Sequence, residues 1–146
     1  MVNKKCVRIK KTRPDAVIPE YHNPGDAGFD FHAACDVEIA GETAAIVPTG
    51  LVMAIPDGFE LQIRPRSGIS LKYPLIVANA PGTIDSGYRG EIGIILRNLG
   101  KEPVVINKGM RVAQGLLAAY TVAEFDESDC LDPTARGTGG FGSTGE

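Results

Sequence analysis

This 146-residue chain has no tryptophan, only 2 histidines and only 3 cysteines. Each scarcity closes off a class of function. Cys6, Cys35 and Cys130 are odd in number, and no two have the spacing of metal ligands. Neither a disulfide framework nor a zinc site is expected. No Ser/His or Cys/His couple of obvious spacing is present, so covalent catalysis has little support. Long apolar runs are missing too: no stretch approaches the roughly 18 residues of a membrane helix. The opening MVNKKCVRIKK is basic but leads into no apolar run, unlike a signal peptide. Three free thiols, no membrane span and no leader point to the cytoplasm, with the nucleus or an infected host cell left open. A formal net charge of −3 lacks the basic footprint of stable nucleic-acid binding.

Glycine (18) and proline (10) are plentiful and spread through the whole chain. They cut it into short pieces, none of which reads as a long amphipathic helix. Several pieces alternate with period two, the mark of a half-buried strand. In FELQIRP, Phe59, Leu61 and Ile63 face one side and Glu60, Gln62 and Arg64 the other. EIGIILRN places Ile92, Ile94 and Leu96 on one face. IPDGFE (55–60) holds a Pro-Asp-Gly turn between two apolar runs. Many short strands between turn signals predict an all-β sandwich, barrel or jelly roll, with at most one short helix after Ser67. Composition shifts at about Ser128, so the reading is a β domain over 1–127 and a flexible glycine-rich arm over 128–146.

Polar residues interrupt the apolar pattern in five places. In DAGFDFHA (26–33), Asp26 and Asp30 are suited to a divalent cation held through water, or are turn aspartates before a strand. In RPRSGIS (64–70), Arg64, Arg66, Ser67 and Gly68 suit an anion at a helix start, or are a turn with surface arginines. NAPGTIDSGYRGEIGI (79–94) is the densest. Asp85 is expected at a sheet end, ionised and able to take a proton from water. Asn79 offers the donor and acceptor that an amide-like base edge requires, and Tyr88 a flat ring for a sugar. The bland alternative is a polar hairpin turning at Asn79-Ala80-Pro81-Gly82. In GMRVAQGLLAAY (109–120), Arg111 and Gln114 are phosphate donors or the solvent side of an edge strand. The terminal RGTGGFGSTG lacks the lysine of a Walker loop, which rejects that class of NTPase. Its glycines and hydroxyls still suit wrapping a polyphosphate, with Arg136 neutralising charge and Phe141 stacking on a base. Together the clusters point to a nucleoside polyphosphate attacked by an aspartate-activated water.

The five motifs DAGFDFHA, PRSGIS, GTIDSGYRGE, RVAQGLLA and RGTGGFGSTG, in this order, resemble those of the trimeric-type dUTPases and span residues 26–145. The resemblance implies a jelly-roll, or β-clip, subunit and a homotrimer with shared active sites. It implies Mg²⁺-dependent hydrolysis of dUTP to dUMP and pyrophosphate, which limits uracil in DNA and supplies dUMP for dTMP synthesis. By the same resemblance Asp85 activates the water that attacks the α-phosphorus. Asn79 and the backbone near Gly82 read uracil, Tyr88 packs under the deoxyribose, and Phe141 caps the base. Arg66, Ser67, Gly68 and Gln114 bind phosphates, with Arg136, Gly142, Ser143 and Thr144 closing on the γ-phosphate. Asp30, and with it Asp26, holds Mg²⁺ through its waters. Two alternatives stay open: a dCTP deaminase-like enzyme of the same fold, and a dUTP-sensing interaction protein on this scaffold. Departures from the family pattern are Phe29 and Phe31 in the first motif and Gly115, a small residue expected to loosen local packing.

Overall fold

The computed structural model describes residues 4–140, so Phe141, Gly142, Ser143 and Thr144 lie outside the described residues. Among those described are eleven strands and one short helix. The order opens with β1 (Arg8–Lys11), β2 (Phe29–His32), β3 (Val37–Ile39), β4 (Ala44–Pro48), β5 (Leu51–Ala54) and β6 (Phe59–Arg64). Helix α1 (Ser67–Lys72) follows. The chain then runs through β7 (Leu75–Val77), β8 (Gly82–Ile84), β9 (Gly93–Asn98), β10 (Val104–Ile106) and β11 (Arg111–Ala119). All pairings are antiparallel. They give a four-stranded sheet β2-β11-β6-β8, a three-stranded sheet β4-β9-β7, and two ribbons, β1-β5 and β3-β10.

The alternation predicted from sequence sets these strands. Along β6, Leu61 and Ile63 are buried while Arg64 is exposed. Along β9 and its entry, Ile92, Ile94 and Leu96 are buried. The Pro-Asp-Gly turn forms as expected: the Phe59 N–H donates to the Pro56 carbonyl at 3.1 Å, and Gly58 takes φ +77°, the left-handed region that favours glycine. Helix α1 has only six residues and no side-chain cap at Arg66. So short a helix needs tertiary anchoring, which its buried Ile69 supplies. Pro74 forces the preceding residue out of the helical region and stops it.

Phe31, Ile39, Leu61, Ile94, Ile106 and Val112 are fully buried between the sheets. Each contributes roughly 1.5–3 kcal/mol of apolar burial. The expected looseness at Gly115 is overturned. A Cβ there would come within 2.6 Å of Phe29 Cε2 and 2.7 Å of Phe31 Cε2, so the two phenylalanine rings fill the volume that the glycine leaves. The departures in the first and fourth motifs therefore compensate one another. The hairpin alternative at Asn79–Gly82 also fails, because β7 and β8 belong to different sheets and the turn carries the chain across. Among the described residues, the last strand ends at Ala119, earlier than the composition shift at Ser128, and residues 121–138 are exposed throughout.

Candidate active site

Antiparallel register brings distant sequence positions into one row. Gln114 on β11 faces Asp30 on β2 at one side and Arg64 on β6 at the other. All three side chains point away from the core, opposite Phe31, Ile63 and Ala113. They line a cavity of about 440 Å³ together with Asp26, Gly28, Arg66, Ser67 and Arg111. Glu20 and His22, from the loop before β2, close its rim. A smaller opening beside it is lined by Arg64, Pro65, Ala80, Pro81 and Gln114.

Asp30 organises the charge in this cavity. Arg66 Nε donates to its Oδ1 at 2.7 Å and an Arg111 nitrogen to its Oδ2 at 3.3 Å. Arg66 and Asp30 are 22% and 21% exposed, so their pairing is less screened than a surface pair. Arg66 also donates to the Arg111 carbonyl at 3.3 Å. Gln114 Nε2 donates to the Pro65 carbonyl at 2.9 Å, which ties β11 to the turn that starts α1. A Cβ on Gly28 would come within 2.5 Å of Gln114 Oε1, so that glycine makes room for the amide. Burial pushes His32 below the usual imidazole value; the Asp30 carboxylate works against this, and Arg111 and Arg66 reinforce it. Its Nδ1 is buried without a hydrogen-bond partner among the described residues.

The second group of candidates lies on and after β8, one of the two edge strands of the four-stranded sheet. Being an edge, it leaves one row of backbone N–H and C=O groups without a strand partner. Gly82 opens it and is buried. A Cβ on Gly82 would lie 3.0 Å from Asn79 Nδ2, so the Asn79 amide sits directly against this backbone. Asp85 follows Ile84 immediately, at the sheet end where it was expected, with its side chain exposed. Its carbonyl accepts the Tyr88 N–H at 3.1 Å, closing a turn that presents both side chains. Tyr88 is 44% exposed.

The structure thus gathers Asp26, Asp30, Arg66, Ser67 and Gln114 in one cavity. It gathers Asn79, Gly82, Asp85 and Tyr88 around one edge strand, and none of these four lines that cavity. Gly68 stands beside Ser67 in the first turn of α1 but not in the lining. Arg136 is brought to neither group; it is exposed, and its Nε donates to the nearby Gly139 carbonyl at 2.8 Å. Arg64 and Arg111, candidates from the sequence to which the family resemblance gives no role, also line the cavity. Alternation in β6 and β11 carries the signal for both. Nothing in the sequence pattern singles out Glu20 or His22.

Among the described residues, no group of three or more His, Cys, Asp or Glu could hold a metal directly. Water-mediated holding is a different demand. Asp30 already accepts two guanidinium contacts, and Asp26 Oδ2 accepts the Asn23 N–H at 2.8 Å. A carboxylate offers about four acceptor positions, which leaves both able to take metal-bound water. Mg²⁺ typically keeps several waters and leans on one or two carboxylates plus substrate phosphates. The donor set fits that arrangement and not a protein cage.

The dUTPase family model matches residues 14–145. The chain belongs to the dUTPase family. It is 51% identical over 145 residues to a deoxyuridine 5′-triphosphate nucleotidohydrolase of Wolinella succinogenes, covering 99% of this chain and 97% of the relative. It is 52% identical over 142 residues to the protein of that name from Rickettsia conorii, covering 95% and 96%. The fold matches a Staphylococcus bacteriophage 80alpha dUTPase with dUPNHPP at a TM-score of 0.90 and 26% identity, over 98% of this chain and 100% of that one. The chain is therefore a jelly-roll β subunit and an enzyme of the dUTPase family. Among its described residues, no helix is long and apolar enough to cross a membrane.

Proposed function

We propose that this dUTPase-family chain hydrolyses dUTP to dUMP and pyrophosphate by attack of water on the α-phosphorus. The observation that carries the reading is the cavity where Arg66, Arg111, Gln114 and Ser67 surround a half-buried Asp30, on the sheet whose opposite edge strand, β8, leads into Asp85. Water attack on a triphosphate requires charge neutralisation and in-line placement more than covalent help. Arg66, Ser67, Gly68 and Gln114 bind the phosphates. Asp85, exposed at the end of β8, takes the proton of the attacking water. Asn79 and the free backbone edge at Gly82 read the uracil edge, and the Tyr88 ring lies under the deoxyribose. A wrong base leaves these polar groups unpaired, which discriminates by on the order of 10⁴-fold. Mg²⁺, held through water by Asp30 and Asp26, supplies further charge neutralisation on the phosphates when bound.

A homotrimer with shared sites belongs to the same proposal. The separation of the phosphate cavity from Asn79, Asp85 and Tyr88 supports it, since a second copy can bring one group to the other. The γ-phosphate and base contacts of Arg136, Phe141, Gly142, Ser143 and Thr144 complete the proposed site. A cytoplasmic location and the supply of dUMP for dTMP synthesis follow from the same reading.

Incubation with dUTP, dCTP and UTP in the presence of Mg²⁺ tests it, with pyrophosphate and ammonia as readouts. Pyrophosphate from dUTP alone is the expected result; ammonia from dCTP would overturn the reading in favour of a deaminase. Light scattering checks the trimer. Deleting residues 136–146 checks the terminal contacts, and turnover should fall far more than thermal stability.

A further inference from the structure

Tyr88 does not choose its own position. Its hydroxyl donates to the Glu91 carbonyl at 3.0 Å, reaching back over the chain between them. Gly90 lies beneath that reach. A Cβ built on Gly90 would meet the Tyr88 hydroxyl oxygen and Cζ well inside van der Waals contact, and Cε2 at 2.9 Å. The ring therefore occupies the space that any side chain at position 90 would take. Gly90 does not take a positive φ, so conformational freedom does not explain this glycine; close approach does.

The acceptor is itself anchored. Glu91 Oε1 accepts the Gly50 N–H at 2.9 Å, and Oε2 accepts the Thr12 hydroxyl at 2.8 Å. Both partners flank the β1-β5 ribbon, Thr12 just after β1 and Gly50 just before β5, where the Thr12 N–H donates to the Gly50 carbonyl at 2.8 Å. Arg89 closes the turn from the other side, donating to the Ser86 and Tyr88 carbonyls at 2.7 Å each. The ring is thus held at its far end by Glu91, at its backbone by the Asp85 turn, and on its underside by the missing Cβ of Gly90.

We propose that Gly90 is a specificity-determining positioning residue: it sets the height of the Tyr88 ring, with Glu91 as the tether, and so decides whether a 2′-hydroxyl fits. The proposal rests on the reading that Tyr88 packs under the sugar. A side chain at position 90 drives the Tyr88 hydroxyl off the Glu91 carbonyl and swings the ring out of its seat, which opens room for ribose. Because Tyr88 is 44% exposed and its outer end is held by one exposed hydrogen bond, the ring yields without disturbing the core. Selectivity then changes while the fold does not.

The test compares kcat/KM for dUTP and UTP in the full chain with Mg²⁺, for the unaltered protein, Gly90→Ala, Tyr88→Ala and the double variant. Gly90→Ala is expected to lower the dUTP-to-UTP ratio by about tenfold or more, the scale on which pocket shape rejects an extra hydroxyl. Its unfolding midpoint should stay that of the unaltered protein. In the Tyr88→Ala background Gly90→Ala should change the ratio no further, because it acts only through the ring. A purely structural role would lower turnover of both nucleotides alike in either background. If Gly90→Ala leaves the ratio unchanged while Tyr88→Ala lowers it, the positioning role is overturned and the sugar role stands. If Tyr88→Ala leaves the ratio unchanged, the sugar reading fails and takes this proposal with it. Should Gly90→Ala not fold, Glu91→Ala removes both side-chain anchors of the carbonyl that holds the ring, and about a threefold loss of the ratio is expected; an unchanged ratio there also overturns it.

Discussion

Asp30, Gln114 and Arg64 reach the phosphate cavity as one row across three strands, whereas Asp85, Tyr88 and Gly90 stand in a turn after an edge strand. The first region is made of charge. Asp30, Arg66 and Gln114 are half-buried, and its groups are held in place by one another, through Arg66–Asp30, Arg111–Asp30 and Gln114–Pro65. The second is made of backbone shape. Its side chains are exposed, and turn hydrogen bonds and the absence of Cβ atoms at Gly82 and Gly90 decide where they stand. A polyphosphate is recognised by charge, which tolerates small displacements because Coulomb energy falls slowly with distance. A base edge and a 2′ position are recognised by fit, which does not. Substitutions in the cavity should therefore weaken binding of everything that carries phosphates. Substitutions in the turn should change chemistry or selectivity instead.

The largest expected effect breaks the turn region at its reacting group. Asp85→Asn keeps the shape and removes the base, so kcat for dUTP should fall by about 10³-fold, the usual contribution of a positioned base. The dissociation constant for a non-hydrolysed dUTP analogue should stay within about threefold. Turnover that survives in single-turnover assays would remove the water-activating role.

On the cavity side, Arg66→Lys retains the charge and loses the planar fork that serves Asp30 and a phosphate together. A loss of about 30-fold in kcat/KM is expected, the scale of one charge-assisted hydrogen bond. Affinity for dUMP, with a single phosphate, should fall less than affinity for dUTP, and calorimetry with both nucleotides checks this. Equal losses for the two would place Arg66 outside the β- and γ-phosphate contacts. Gly28→Ala is a gentler cut in the same region. The new Cβ displaces the Gln114 amide from Pro65, which should raise KM for dUTP about fivefold with kcat little changed.

The two regions also differ in how far the sequence reveals them. Alternation along FELQIRP identifies the buried Leu61 and Ile63, and Arg64 on the opposite face, because strand period two is a local property. Asp85 at a sheet end is legible for the same reason. That Gln114 stands between Asp30 and Arg64 is not local: it depends on register between strands more than 40 residues apart in sequence. Arg111 is visible as a polar break in an apolar run, yet only its contact with Asp30 gives it a place in the cavity. The turn from Asn79 to Gly82 has every residue of a hairpin turn and still crosses between sheets. Turn chemistry fixes a reversal of the chain, not which sheet the next strand joins.

Gly115 belongs to neither surface, although it follows Gln114 directly, and its substitution should have the smallest effect on turnover. A Cβ on Gly115 points inward, at Phe29 Cε2 and Phe31 Cε2, while Gln114 points outward into the cavity. Phe31 is fully buried and cannot retreat into solvent. Phe29 stacks edge-on against it at 5.6 Å between ring centroids and against Tyr21 at 5.5 Å, so it has little freedom either. Gly115→Ala should therefore cost about 1–3 kcal/mol, the usual penalty of overpacking, measured by urea unfolding. The activity of the folded fraction should stay close to that of the unaltered protein. Trimming the opposing ring restores the room, so Gly115→Ala combined with Phe31→Leu should be more stable than the two single losses added together. Strict additivity would show that the rings and the glycine are not coupled, and that the paired departures in the first and fourth motifs are independent. A loss of activity in the folded Gly115→Ala protein would show that strain in the core reaches Gln114 through β11, joining the cavity to the core that carries it.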